Sequence, residues 1–146
     1  MKNKPFLLVM LVCILALSFV FVGCKTDGDD GGGGGNVTSV KITGLDGKTG
    51  SVVLWIQNTK TTFFDKAEAT ISSNQVTFTF PTEYSGDPLR NGSYYLRIEV
   101  ESVNYVYTNG TGSDGNSTNT DIENTAATTI SLSGDVTIGF DKFKKN

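Results

Sequence analysis

The sequence predicts an all-β protein, an antiparallel β-sandwich of about seven or eight strands, with a small β-barrel as the alternative. Apolar residues alternate with polar ones over short stretches rich in Thr, Val and aromatic residues, which is typical of half-buried strands. Turn signals separate these stretches, and nothing after the first 36 residues has a strong helical period. Many short strands with frequent turns favour a sandwich or a barrel.

Eight stretches carry the alternation. They cover residues 37–45, 51–58, 66–71, 75–81, 92–103, 104–108, 126–132 and 135–140. Turns are predicted at Asp46-Gly47, Ser72-Ser73-Asn74, Asn91-Gly92 and Gly134-Asp135. Residues 61–68 are the one stretch of this region that favours a short turn of helix.

The N-terminal residues have the parts of a secretory signal. Lys2 and Lys4 precede an apolar run over residues 6–22, and the small residue Gly23 follows it. A transmembrane helix is the alternative, because the 17 residues of this run lie at the lower limit of the roughly 17–25 that a spanning helix needs. The Gly23-Cys24 junction lies where cleavage is expected, so we expect residues 1–23 to be removed.

The quartet Phe21-Val22-Gly23-Cys24 resembles the lipobox of bacterial lipoproteins. The resemblance implies cleavage between Gly23 and Cys24, and attachment of diacylglycerol to the Cys24 thiol. Two or three acyl chains hold a protein firmly on a membrane, so the resemblance implies a lipid-anchored protein of the bacterial cell envelope. Lys25 stands where enteric lipoproteins retained at the inner membrane carry Asp, which favours the outer membrane over the plasma membrane.

Residues 24–36 are predicted to be a disordered tether, because Gly and Asp dominate after Cys24 and cannot bury a core. The β-sandwich domain is then residues 37–146. Loss of Lys2 and Lys4 with the signal leaves ten Lys and Arg against 15 Asp and Glu, a net charge of −5. Without a basic stripe, nucleic acid is not an expected partner. The basic cluster at residues 142–145 is interpreted as a solvated tail.

The strand Gly92-Ser93-Tyr94-Tyr95-Leu96-Arg97-Ile98-Glu99-Val100, with Tyr105 after it, also resembles a known pattern. It is similar to the Gly-x-Tyr-x-Leu-x-Val strand of transthyretin-like and carboxypeptidase-regulatory-like domains. These are β-sandwiches, so the resemblance implies the same fold class here.

The residue inventory argues against catalysis. The chain has no histidine, which excludes Ser-His-Asp and Cys-His catalysis and histidine-based zinc sites. Arg97, Glu99 and Glu101 lie at alternate positions and are interpreted as a solvated outer face rather than as an acid–base pair. We therefore expect no enzyme activity, no cofactor and no metal site.

The loop at residues 108–120 has a spacing of oxygen-bearing side chains that could bind calcium. Asp114, Asn116 and Thr118 stand at alternate positions. Asn119 and Thr125, however, occupy the places where an EF-hand loop needs Gly and Glu. The loop is therefore interpreted as flexible and polar.

Trp55 and Tyr95 are the candidate contact residues for a ligand or partner. Each points to the strand face opposite the predicted core, where exposed rings could stack on sugars or anchor a protein; if that face is covered, the rings are core residues. We predict a lipid-anchored module that binds a protein or a glycan. The alternative is a structural or accessory envelope lipoprotein with no ligand of its own.

Overall fold

The computed structural model describes residues 35–119 and 121–146. Gly23, Cys24 and the apolar run over residues 6–22 lie outside these residues, as does the tether up to residue 34, so the predictions of signal, cleavage and lipidation stay predictions. No helix within the described part of the chain is long and apolar enough to cross a membrane.

The described residues form a β-sandwich, which confirms the predicted fold class. The strands are β1 (Val37–Thr43), β2 (Ser51–Gln57), β3 (Phe63–Thr70), β4 (Gln75–Thr79), β5 (Gly92–Val100), β6 (Val103–Tyr107), β7 (Ile130–Leu132), β8 (Gly134–Gly139) and β9 (Phe143–Lys145). A small sheet has the order β4-β1-β8. A large sheet has the order β3-β2-β5-β6-β9, and β7 pairs with the beginning of β5. The sheets do not close on each other, so the barrel alternative is wrong.

All strand pairs are antiparallel except one. β1 and β8 run parallel, with Val40 opposite Val136 and Ile42 opposite Ile138. The chain reaches β8 by changing sheets after β7, and it bends at Gly134, whose φ of 55° lies in the left-handed region that favours glycine.

The core lies between the two sheets and follows the predicted alternation. Val40, Ile42 and Phe78 of the small sheet face Leu54 and Ile98 of the large one, and each of the five side chains is at most 1% exposed. Alternate residues of a strand point to opposite faces, so the neighbours of these side chains point away from the core. Those outward side chains on the large sheet form the candidate site.

The helical turn that was predicted for residues 61–68 is wrong. β3 begins at Phe63, and it pairs with β2 from Thr70 opposite Ser51 to Phe63 opposite Gln57. A partner strand satisfies the outer edge of β2, and this pairing outweighs the weak local preference for helix.

The C-terminal basic cluster is not a solvated tail. A 3-10 turn at Phe140–Lys142 carries the chain from the small sheet to the large one. Phe143 is then 5% exposed, and β9 pairs with β6 with Phe143 opposite Tyr107. Burial of the Phe143 ring favours the strand together with this pairing, and a single apolar residue between lysines gave no strand pattern in the sequence.

Several strand boundaries also differ from the prediction, and two of the differences have a visible structural setting. The strand that was predicted over 92–103 ends at Val100, because Glu101 and Ser102 form the hairpin turn with φ of 52° and 63°. Neither residue is a usual signal for such a turn. The strand that was predicted over 126–132 is confined to Ile130–Leu132.

Candidate functional site

The candidate site lies on the outer face of the large sheet. The register of β2 and β5 places Trp55 opposite Arg97 and Gln57 opposite Tyr95. Alternate residues share a face, so these four side chains form one block on the side of the sheet away from the sandwich core.

Arg97 packs against Trp55 at the centre of this block. The guanidinium carbon lies 3.7 Å from the centroid of the indole ring, and Arg97 Nη1 donates a hydrogen bond of 2.8 Å to Asn104 Oδ1. Arg97 is only 3% exposed, so its interpretation as part of a solvated face is wrong. The indole replaces part of the lost hydration, because a cation is attracted to the face of an aromatic ring.

The buried charge of Arg97 has no close anionic partner within the described residues. The two ion pairs found there join Lys48 to Glu101 and Lys142 to Asp141. Burial lowers the pKa of Arg97, and the more distant charges of Glu99 and then Asp121 oppose this effect. The guanidinium remains positively charged, and it creates a positive potential under the surface.

Residues 108–129, which we call the crossover segment, join β6 to β7 and cover part of this sheet face. Ile122 and Ala127 of the segment pack with Val106 of β6 into a second, small apolar cluster, and Tyr95 lies against it. Ile122 N donates a hydrogen bond of 2.9 Å to Lys60 O, so the segment also contacts the loop between β2 and β3. Half-buried Tyr95 is therefore partly a packing residue.

Two asparagine side chains attach the crossover segment to the end of β9. Asn146 Oδ1 accepts hydrogen bonds from the backbone N atoms of Glu123 (2.8 Å) and Asn124 (3.2 Å). Asn124 Nδ2 donates to Ser113 O (3.1 Å) and to Lys145 O (2.7 Å). Ser113, in the loop that was interpreted as flexible, is therefore hydrogen-bonded to Asn124, which in turn binds β9.

Asp114, the first residue of the possible calcium spacing, is part of the same attachment. Its Oδ1 atom accepts a hydrogen bond of 3.0 Å from Lys145 N. In the described part of the chain, no group of three or more His, Cys, Asp or Glu residues is placed to hold a metal ion. The Asp114 side chain of the polar loop thus binds the backbone of β9.

A cavity of about 250 Å³ lies beside the indole ring. Its lining combines two aromatic rings with polar and charged side chains: Trp55, Gln57, Thr61, Phe63, Arg97 and Asp121. Gln57 is 2% exposed. Gln57 Oε1 and Arg97 Nε are buried and have no hydrogen-bond partner in the structure.

These two atoms make the cavity unusual. A buried polar group without a hydrogen-bond partner costs about 1–3 kcal/mol, so proteins rarely keep two of them around one cavity without a reason. Gln57 offers an acceptor and Arg97 offers a donor, and Asp121 adds an exposed carboxylate at the rim. Both atoms are buried, so a ligand with several hydroxyl groups can donate to the first and accept from the second only after a rearrangement of these side chains.

Only part of this site was predicted from the sequence. Of the two predicted contact residues, Trp55 lines the cavity, whereas Tyr95 packs beside it under the crossover segment. Arg97 was assigned to solvent because charged residues usually are exposed, and Gln57 was not considered. The signal that could have found both is their alternation with Trp55 and Tyr95 on the same faces of two strands.

Comparison with known proteins adds no relative: no protein-family model matches the chain, and neither a curated protein nor a solved structure matches it.

Proposed function

We propose that this protein is a lipid-anchored binding module of the bacterial cell envelope, and that the cavity beside Trp55 binds a sugar unit of an envelope glycan. The buried, unpartnered Gln57 Oε1 and Arg97 Nε atoms carry the proposal. They lie on side chains that line a cavity with two aromatic rings, and such a mixture of apolar walls with a few polar groups is typical of small-molecule sites.

The size of the cavity favours a small binding unit. Its volume of about 250 Å³ is just below the roughly 300–1,000 Å³ of drug-sized sites, which suits one sugar ring of a longer chain. Hydroxyl groups on such a ring match one donor and one acceptor of the lining better than an apolar protein side chain does. This supports a glycan over a protein as the ligand.

The fluorescence of Trp55 can measure ligand binding. Trp55 is the only tryptophan, so its emission reports on the cavity alone. We expect residues 24–146 to bind at least one envelope polysaccharide fragment on a glycan array, with a change in Trp55 emission on titration. Gln57→Met removes the polar atoms at nearly constant volume and should weaken binding at least about tenfold, which is about 1.4 kcal/mol.

Gln75→Met in β4 of the small sheet is the matched control and should bind as the parent does. Binding that survives Gln57→Met unchanged contradicts the site. Absence of any glycan ligand contradicts the binding function and leaves the accessory role, in which the protein co-purifies with one envelope complex after detergent extraction.

The lipid anchor is tested separately. Cys24→Ser should abolish acyl labelling and release the protein from the membrane fraction or block its processing, whereas Cys13→Ser should leave both unchanged. The sandwich should fold in either variant, because its two apolar clusters lie within residues 37–143. A parent protein that carries no acyl label and keeps residues 1–23 in the membrane fraction restores the transmembrane interpretation of residues 6–22.

A further inference from the structure

One end of the sandwich carries exposed aromatic rings. Phe63, Phe64 and Tyr84 are 43%, 40% and 59% exposed, and they are the large apolar side chains with high exposure in the described part of the chain. The rings of Phe63 and Tyr84 lie 5.3 Å apart between centroids, so they form one surface. We call these three residues the aromatic end.

The chain enters the sandwich at this same end. Gly35 O accepts a hydrogen bond of 3.1 Å from Asn91 N, and Asn36 forms an isolated β-bridge with Arg90. Tyr94 Oη donates to Arg90 O over 2.8 Å, and the ring of Tyr94 lies 6.4 Å from that of Phe64. A short series of contacts therefore connects the entry point of the chain to the aromatic end.

Only ten residues separate Cys24 from Gly35. If these residues form the predicted disordered tether, its mean reach is about 16–19 Å and its limit is near ~35 Å. If Cys24 is lipidated, as the proposed function holds, the aromatic end is the part of the domain that is kept closest to the bilayer.

We propose that the aromatic end docks on the bilayer surface that carries the anchor. Tyr and Phe rings suit the boundary between head groups and acyl chains, because one part of the ring system is apolar while a Tyr hydroxyl stays hydrated. The contact is apolar rather than electrostatic: the exposed Glu83 and Asp87 lie in the same loop as Tyr84, and the net charge of residues 24–146 is −5. Docking orients the sandwich and holds the cavity near the lipid, because Phe63 also lines that cavity.

The test attaches the domain chemically, so that it does not depend on lipidation in the cell. Residues 24–146 contain a single thiol, Cys24, which can be coupled to a maleimide lipid in phosphatidylcholine vesicles. In a Trp55→Phe background, Phe63→Trp and Tyr84→Trp each place one tryptophan in the aromatic end. Brominated acyl chains quench tryptophan emission only where the ring reaches the lipid.

We expect brominated lipid to lower the emission of both variants about twofold, with a shift to shorter wavelength, as for rings at the membrane interface. Thr49→Trp, exposed in the turn before β2 at the opposite end of the sandwich, is the control and should not be quenched. Equal quenching at both ends, or none at the aromatic end, overturns the proposal. A failure of lipidation itself appears only in the Cys24→Ser fractionation, so the two failures are distinguishable.

Discussion

Thr82 donates a hydrogen bond of 2.6 Å to Oδ1 of Asp65, and this contact joins β3 of the large sheet to the segment that follows β4 of the small one. Asp65 is fully buried, and its oxygens also accept hydrogen bonds from Lys66 N (2.7 Å) and Ser85 Oγ (3.1 Å). A buried carboxylate is tolerated only when donors surround it, so these contacts fix one edge of the sandwich.

Replacement of Thr82 by valine should therefore destabilise the fold. Thr82→Val keeps the shape of the side chain and removes one donor from a buried carboxylate, which should lower the free energy of unfolding by about 1–3 kcal/mol. Urea denaturation followed by circular dichroism measures the change. Thr79→Val, at an exposed position with the same substitution, should stay within about 0.5 kcal/mol of the parent. Equal losses in both variants would falsify the assigned role of Asp65.

Because hydrogen bonds attach the crossover segment to β9, their removal should destabilise this segment locally and leave the global stability of the fold unchanged. Asn124→Ala removes the two hydrogen bonds that Asn124 Nδ2 donates and the one of 3.0 Å that Asn124 Oδ1 accepts from Ala126 N. Hydrogen exchange should become faster in residues 113–127, while the core strands exchange as before. The exposed Asn116 makes no such contacts, and Asn116→Ala should leave exchange unchanged. Faster exchange throughout β2 and β5 contradicts this prediction.

Arg97 should be more important for binding than for stability. A buried cation without an ion pair is costly to keep, so Arg97→Met should leave the free energy of unfolding unchanged or raise it by up to about 2 kcal/mol. The same variant should lose glycan affinity at least about tenfold, because the charged donor is gone. Arg90→Met, at an exposed position, should change neither quantity. Global unfolding of Arg97→Met, seen by calorimetry, would assign Arg97 to the fold instead.

Below pH 8, the free energy of unfolding should change with pH only in the acid range. The hydrogen bond from Lys48 lowers the pKa of Glu101, and the one from Ser39 lowers the pKa of Asp135. The folded state then binds fewer protons than the unfolded state, whose carboxyl pKa values are about 4. Glu101 and Asp135 therefore stabilise the folded state above about pH 4.5. This stabilisation is lost as the pH falls through their lowered pKa values.

Urea midpoints measured from pH 3 to 8 check this. With no histidine in the chain, the midpoint should be nearly constant from about pH 6 to 8 and should fall below about pH 4.5. Glu101→Gln should make the acid decline shallower. A midpoint that falls between pH 7 and 6 contradicts the prediction.

The strands were predictable where a single face is buried. Val52, Leu54 and Ile56 alternate cleanly, and all three are at most 1% exposed. β9 was not predictable in the same way, because Phe143 is one apolar residue between lysines and only its pairing with β6 makes a strand of three residues stable. Local pattern fixes strands that bury a whole face, while short edge strands depend on their partners.

The candidate site was less accessible to sequence reasoning. Trp55 was predicted as an outward-facing aromatic residue, but Arg97 is held by Asn104 and the indole, and Asp121 of the crossover segment lines the same cavity. These contacts join residues that are far apart in the chain or on neighbouring strands. No periodicity encodes such packing, so a charged residue on an outer face was assigned to solvent.

The parallel pairing of β1 with β8 has a consequence for how the chain folds. Ser39 Oγ donates a hydrogen bond of 2.7 Å to Asp135 Oδ1, across 96 positions of sequence. Closing so long a loop lowers the entropy of the chain, and this cost precedes the pairing of β1 with both β4 and β8. Folds dominated by such distant contacts form in roughly milliseconds to seconds. Until residues 134–139 pair with β1, that strand keeps an open hydrogen-bonding edge, and an incompletely folded chain is most exposed to pairing with another copy during that interval.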